Sequence, residues 1–370
     1  MALAFVPQPI ADLPWKMLVI VLSITGFGLL ILYSAAGGSL MPWALPQGIR
    51  FAVFLAMAIV MSYLTPERFK QGALPAYAVV ILMLILVEAI GALGGGAQRW
   101  LNLGVIRIQP SELMKPVIVL VVAAFYDRLP VSEIRKWNAI WPPLLLTGFP
   151  AALILVQPDL GTALTMVGGA VTVMFLAGLP LRLFLGAAAA AAAVIPFVYT
   201  VLLEEYQQRR VTIFLTPEAD PLGAGYHITQ SKIAIGSGGL FGKGFLKGTQ
   251  SHLDYLPEGH TDFIFATMAE EWGLIGGIFL IGAFALLLKW GIGVALEAKG
   301  RFERLAAAGL TTTIFFYIAI NLMMVMGLAP VVGIPLPLVS WGGSAMLTVM
   351  ICLGILMSID RVNRKERRPR

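Results

Sequence analysis

The chain has 370 residues, of which 58% are hydrophobic and only 12% charged. Soluble domains carry about 25% charged residues, so a bilayer is the expected solvent, and one membrane domain over 1–370 replaces any domain count from length. The net charge of +6 does not point to nucleic acid, because the basic residues sit at segment ends and in the tail and not in a patch with stacking aromatics.

A spanning helix needs about 20 mostly apolar residues. Ten such segments are read, near 17–36, 49–64, 74–92, 112–126, 138–156, 162–178, 182–202, 263–288, 304–327 and 338–359. The expected fold is therefore an all-α polytopic membrane protein. The first segment is long and lacks a small-residue cleavage site after it, so no cleavable signal peptide is expected. The fourth is the weakest, because Pro110, Glu112, Lys115 and Pro116 crowd its start. Most of the 26 Lys and Arg fall in the tail and in alternate short loops: Arg68 and Lys70; Arg128, Arg135 and Lys136; Lys289, Lys299, Arg301 and Arg304. The intervening short loops hold only Arg50, Arg99 and Arg107. Positive charge stays inside, so both termini are predicted to be cytoplasmic. The long loop 203–262 then lies outside, between the seventh and eighth spans. Within it, Tyr226 to Ile235 has helical spacing and could lie along the membrane surface, and Gly236 to Gly248 is a glycine-rich loop. Cys352, the single cysteine, lies in an apolar run and excludes an intrachain disulfide and a thiolate metal cluster. The three histidines, His227, His252 and His260, lack metal-motif spacing.

The most informative stretch closes that loop, from Asp254 to Phe265. Two carboxylates, Glu258 and Asp262, and a histidine, His260, crowd the mouth of the eighth span, where an ionisable group is costly unless it is used or paired. An acid at a helix start also serves as a cap on the positive end of the macrodipole, and that reading of Asp262 or Thr261 weighs evenly against a functional one. Two carboxylates together raise one pKa, which suits a general base. His260 reads as an orienting donor or a surface residue. Glu112 and Lys115 share a helix face at i,i+3, which fits an internal ion pair on a helix capped by Ser111; charges entering the outer leaflet also tend to face cavities. Asp159, after Pro158, reads first as a turn or cap. Arg50, Arg99, Arg107, Arg209 and Arg210 are candidates for an anion, since the guanidinium fork matches phosphate oxygens; attraction to lipid headgroups explains any single one as well. Glu270 and Glu271, two turns into the eighth span, are expected to pair with another helix. Glu88 has no explanation. Gly242-Lys243 fails the phosphate-loop spacing, and neither an ATP site, a zincin nor a nucleophile elbow is present.

Several runs carry a close resemblance to a known family: Gly96-Ala97-Gln98-Arg99-Trp100-Leu101, Gln109-Pro110-Ser111-Glu112, Gln157-Pro158-Asp159-Leu160-Gly161-Thr162, Asp220 to His227, Gln230 to Gly239, Gly248-Thr249-Gln250-Ser251, Asp254 to Phe265, and Leu336-Pro337-Leu338-Val339-Ser340. Together they resemble the SEDS (shape, elongation, division and sporulation) family over essentially the whole chain, and its elongation branch more than its division branch. Gly259, Trp272 and Trp341 depart from common family residues. The resemblance implies a multi-pass protein of the cytoplasmic (inner) membrane: a peptidoglycan glycosyltransferase polymerising lipid II on the outer face. Asp262 matches the family's essential aspartate, and Glu112, Lys115 and Asp159 match polar residues of its central cavity. It also implies a class B penicillin-binding protein as transpeptidase partner, the other elongation-complex proteins and the surrounding membrane lipid, and dependence on a divalent cation (Mg or Mn) whose ligands are not evident. Two other classes compete. A lipid II flippase would place its polar groups at the midplane, not at one mouth, and a scaffold that only activates its partner would tolerate loss of Asp262.

Overall fold

The computed structural model describes residues 12–367 except 95–96, 103–106, 203–207, 209–211, 213–215, 217–223, 254 and 257. Helices dominate. In chain order they are α1 (Trp15–Ala35), α2 (Ala44–Ser62), α3 (Pro66–Ile90), α4 (Pro110–Arg128), α5 (Trp141–Val156), α6 (Leu160–Leu176), α7 (Leu181–Phe197), α8 (Ala224–Ser237), α9 (Thr249–His252), α10 (Ile264–Glu297), α11 (Arg301–Val325) and α12 (Gly343–Arg367). Each of the ten apolar segments contains a helix, and among the described residues eight helices are long and apolar enough to cross a membrane. The two that fall short do so for different reasons. The helix Leu160–Leu176 has only 17 residues, and α4 carries charge at both ends.

Position explains the composition of α4. It packs against α3, α5, α6, α11 and α12, and nearly every residue from Pro110 to Ala124 is buried. A helix ringed by protein does not need a lipid-compatible surface, so its charged residues face neighbours. The core is continuous around it, from Met114, Ile118 and Val122 to Tyr126 on α4, with Leu310, Ile314 and Tyr317 on α11 and Met346, Val349 and Leu353 on α12. Small residues bring helices together here. A side chain on Gly309 would meet Val119 and Val173, and one on Gly169 would meet Thr313 and Val119; close approach of this kind replaces hydrophobic driving force in lipid.

The all-α expectation misses one feature. Three short strands, β1 (Ala92–Gly94), β2 (Ala97–Asn102) and β3 (Arg107–Ile108), pair antiparallel in the order β1-β2-β3. The segment is too short for a further span and lies at the loop end of the bundle, where local pairing satisfies its backbone.

The other unexpected feature is in α10. Its helix is broken at Gly273 (φ 62°, ψ −157°). A break inside a span frees backbone groups that lipid cannot satisfy. The glycine-rich loop satisfies them: Lys243 N donates to Glu270 O (2.9 Å), Gly244 N to Glu271 O (3.1 Å), and Leu274 N and Ile275 N donate to Gly239 O and Leu240 O (2.9 and 3.3 Å). Only glycine permits the approach. A Cβ on Gly242 (φ +76°) would fall 2.1 Å from Glu271 O, and one on Gly238 2.0 Å from Ala269 O. The loop is thus threaded into the gap, and Ile264–Trp272 forms a short first piece of α10 clasped by it.

Candidate functional site

The turn Glu258–Phe263 leads into α10. Glu258 takes a positive φ of 58°, and its carbonyl accepts from Thr261 N (3.0 Å) and Phe263 N (3.2 Å). Thr261 Oγ1 donates to Glu258 Oε2 at 2.5 Å. The N-cap of α10 is Phe263, without a side-chain cap bond. Neither Asp262 nor Thr261 caps the helix, so the capping account of Asp262 does not hold here and its carboxylate is left for other work.

Three residues from two segments fix the turn through its backbone. Asn321 on α11, fully buried, donates Nδ2 to Asp262 O (2.8 Å) and to Ile334 O (2.7 Å). Ser340 Oγ donates to Thr261 O at 2.6 Å while accepting from Leu336 N. Trp341 N donates to His260 O at 2.9 Å. Five such bonds of about 1 kcal/mol each, two of them from one side chain, hold the position of Asp262 without touching its carboxylate. The carboxylate itself lies beside the turn at Gly333, where an added Cβ would be 3.4 Å from Oδ2. Asp262 is half-buried, and burial first, then the nearby charge of Glu258, raises its pKa from 3.8 to about 6. His260 moves the other way: burial lowers its pKa against the pull of Glu258, and its ring stacks on Trp43 at 4.1 Å. It is an aromatic wall, neutral at pH 7.

Arg50 stands on the same side. Its guanidinium lies 4.1 Å above the Trp341 ring, and among the described residues it has no carboxylate partner. Arg99 is committed differently: it donates Nε to Gln157 O (2.9 Å) and Nη2 to Pro158 O, bracing the turn before α6. Arg107 is exposed on β3, and Arg209 and Arg210 lie outside the described residues. Asp159 is the N-cap of α6, accepting from Thr162 N (3.2 Å), with Gln109 Nε2 on its other oxygen at 3.0 Å; the cap reading accounts for it. Gly161 packs against Val332 and Ile334, which brings this turn against the segment around Gly333 beside Asp262.

Glu112 and Lys115 do form an internal pair, at 2.5 Å, with Lys115 Nζ also 2.8 Å from Tyr317 Oη and Tyr317 donating to the other oxygen of Glu112. Ser111 is not the cap; its hydroxyl is buried without a partner and the N-cap is Gln109. Pro116 has no N–H to donate to Glu112 O, and Thr348 Oγ1 on α12 takes its place at 3.2 Å. Tyr317 lies one turn before Asn321 on α11, so this buried triad underlies the residue that holds Asp262. Removing one partner of such a pair costs about 3–5 kcal/mol. Glu270 pairs with Lys243 Nζ (2.6 Å) of the glycine-rich loop and accepts from the amides of Thr249 (2.9 Å) and Gln250 (3.0 Å) at the start of α9. Glu271 takes Ser34 on α1 and His252 (3.3 Å). Glu88 is exposed, and nothing in the structure explains it. Sequence reading missed Asn321, Tyr317, Ser340 and Trp43. An amide in the middle of an apolar span was the available signal for Asn321.

Comparison with known proteins follows the same outline. The "Cell cycle protein" family profile of FtsW, RodA and SpoVE matches residues 15–365. The chain belongs to the FtsW/RodA/SpoVE family. A similar relative is the peptidoglycan glycosyltransferase MrdB of Escherichia coli (strain K12), 45% identical over 93% of this chain and 92% of its own. Among solved structures, one described as the structural coordination of polymerization and crosslinking by a peptidoglycan synthase complex superposes with a TM-score of 0.82 at 32% identity, covering 96% of this chain and 99% of that one. The rod shape determining protein RodA of Thermus thermophilus gives 0.71 at 29% identity over 96% and 98%. As a family member the chain is a multi-pass membrane protein, in keeping with its eight apolar helices.

Proposed function

We infer that this chain is a peptidoglycan glycosyltransferase that polymerises lipid II into glycan strands on the outer face of the inner membrane. The 45% identity to MrdB over 93% of the chain supports the activity. The observation that carries the mechanism is the uncapped, half-buried Asp262 carboxylate with its pKa near 6. A base of that pKa is ionised at neutral pH yet basic enough to accept a proton. Asp262 takes the proton of the acceptor sugar hydroxyl as that oxygen attacks the anomeric carbon. The bond to the diphosphate breaks, and a single displacement inverts the centre, as in inverting glycosidases. Diphosphate needs no protonating acid, but its charge must be met; Arg50, over the Trp341 ring, is the cation we assign to this, while Lys115 is spent on Glu112. Glu258 raises the basicity of Asp262. The divalent cation (Mg or Mn) stays what the family resemblance implies: among the described residues no three His, Cys, Asp or Glu converge on one point, and no step is routed through the ion.

The reading extends to topology: one membrane domain over 1–370, ten spans counting α4 and α6, both termini cytoplasmic, and 203–262 outside. A class B penicillin-binding protein supplies the crosslinking activity, within the elongation machinery. The test uses purified protein, alone and with its cognate class B penicillin-binding protein, given labelled lipid II with and without a divalent cation. Wild type yields glycan ladders, and Asp262→Asn loses at least about 100-fold while still assembling with its partner. Ladders of equal yield from the variant would remove Asp262 as the base and turn attention to Glu258.

A further inference from the structure

At the opposite end of α4 from Asp262, a crevice of about 240 Å³ opens between α3, α4 and α5. Its rim holds two cations, Lys70 and Arg128. Beyond them the walls are apolar, with Leu74, Val121, Phe125 and Leu146. The two acids nearby both serve Lys70: Asp127 at 2.6 Å and Glu67 at 3.6 Å. Asp127 also accepts from Phe302 N (3.1 Å), and Arg301 Nη1 donates to Leu129 O (2.7 Å) on the same rim. Arg128 is exposed and, among the described residues, has no carboxylate partner. The rim therefore keeps an uncompensated guanidinium above an apolar slot.

We propose that this crevice binds one anionic phospholipid, its phosphate on Arg128 and an acyl chain along Leu74, Val121 and Phe125. Basic pockets between spanning helices recognise anionic headgroups in this way. The apolar depth has no use for a free phosphate. A partner helix is excluded by size, because an equidimensional space of 240 Å³ is about 6 Å across and a helix with side chains needs about 10 Å. The reacting substrate is excluded by place. The 19 residues of α4 separate Arg128 from the Gln109–Asp159 corner by about 27 Å at 1.5 Å per residue. The site is independent of the proposed activity.

The test uses the full chain, delipidated in detergent. Native mass spectrometry and thermal melting are run with phosphatidylglycerol, phosphatidylcholine or inorganic phosphate added. Phosphatidylglycerol is expected to give a one-lipid adduct and a higher melting temperature, and the other two neither. Arg128→Gln should weaken the adduct about five-fold, as for one basic residue at a headgroup. Leu74→Trp, at a position 58% exposed, should fill the slot and abolish the adduct with the fold intact. Equal retention of both lipids, an equal shift with inorganic phosphate, or an adduct unchanged in both variants would overturn the proposal.

Discussion

Asp262 is held by its backbone and left free at its carboxylate, and the two facts give it a pH signature. Burial and Glu258 raise its pKa from 3.8 to about 6. A general base works when ionised, so polymerisation should rise with pH through about 6 and level off above it; a profile flat from pH 5 to 8 would count against the assignment. The stability consequence has the opposite sign. The unfolded chain ionises at the ordinary value, so the native state carries an increasing penalty as pH rises from about 4 to 6, full above that. Asp262→Asn should therefore melt higher than wild type at pH 7.5, with the gap closing at pH 4, in detergent melts. A site residue that costs stability is what the activity trade-off predicts. At this scale the sequence told much. Two carboxylates and a histidine at a span mouth are visible in the chain, as is the i,i+3 pair of Glu112 and Lys115. That Arg99 is consumed by the carbonyls of Gln157 and Pro158 is not visible, because backbone acceptors have no sequence signature.

At the scale of elements, the loop-to-helix clasp decides what can be changed. Gly242→Ala places a Cβ 2.1 Å from Glu271 O at a φ of +76°, so it should destabilise by more than about 1 kcal/mol. Gly236→Ala, inside α8 with nothing within 4 Å of the new atom, should be neutral or slightly stabilising. Paired melts of the two variants check this; equal melting temperatures would mean the loop does not sit in the break. The helices themselves were legible from hydropathy, because a spanning helix is specified by length and apolarity. The break at Gly273 was not. Glycine is common in spans, and what makes this one a break is a partner loop more than 25 residues away. The strands at 92–108 escaped for a related reason: their pairing is local backbone accounting at a loop-rich end, not periodicity.

For the whole molecule, the distribution of basic residues supports an orientation that chemistry can check. Cys352 is buried, so single cysteines introduced at the exposed positions Lys299 and Lys247 report without background. An impermeant thiol reagent on intact cells should label Lys247→Cys and spare Lys299→Cys; the reverse pattern would invert the topology and place the Asp262 mouth in the cytoplasm. Charge and hydropathy bear on orientation and span number, but not on which helix is central: α4 looks weakest as a span because it is the one ringed by protein. The broken α10 has a mechanical consequence at this scale. Bilayers differ in thickness, and long spans answer by tilting. The remainder of α10, from Leu274 to Glu297, packs on α1 and α11 and is tied to the glycine-rich loop by Leu274 N and Ile275 N, while Ile264–Trp272 is tied to the same loop through Glu270 and the amides of Lys243 and Gly244. The joint is spliced rather than hinged: with both halves bonded to one loop across Gly273, the broken helix passes load as one rod, and the carboxylate at the mouth keeps its place beside Gly333.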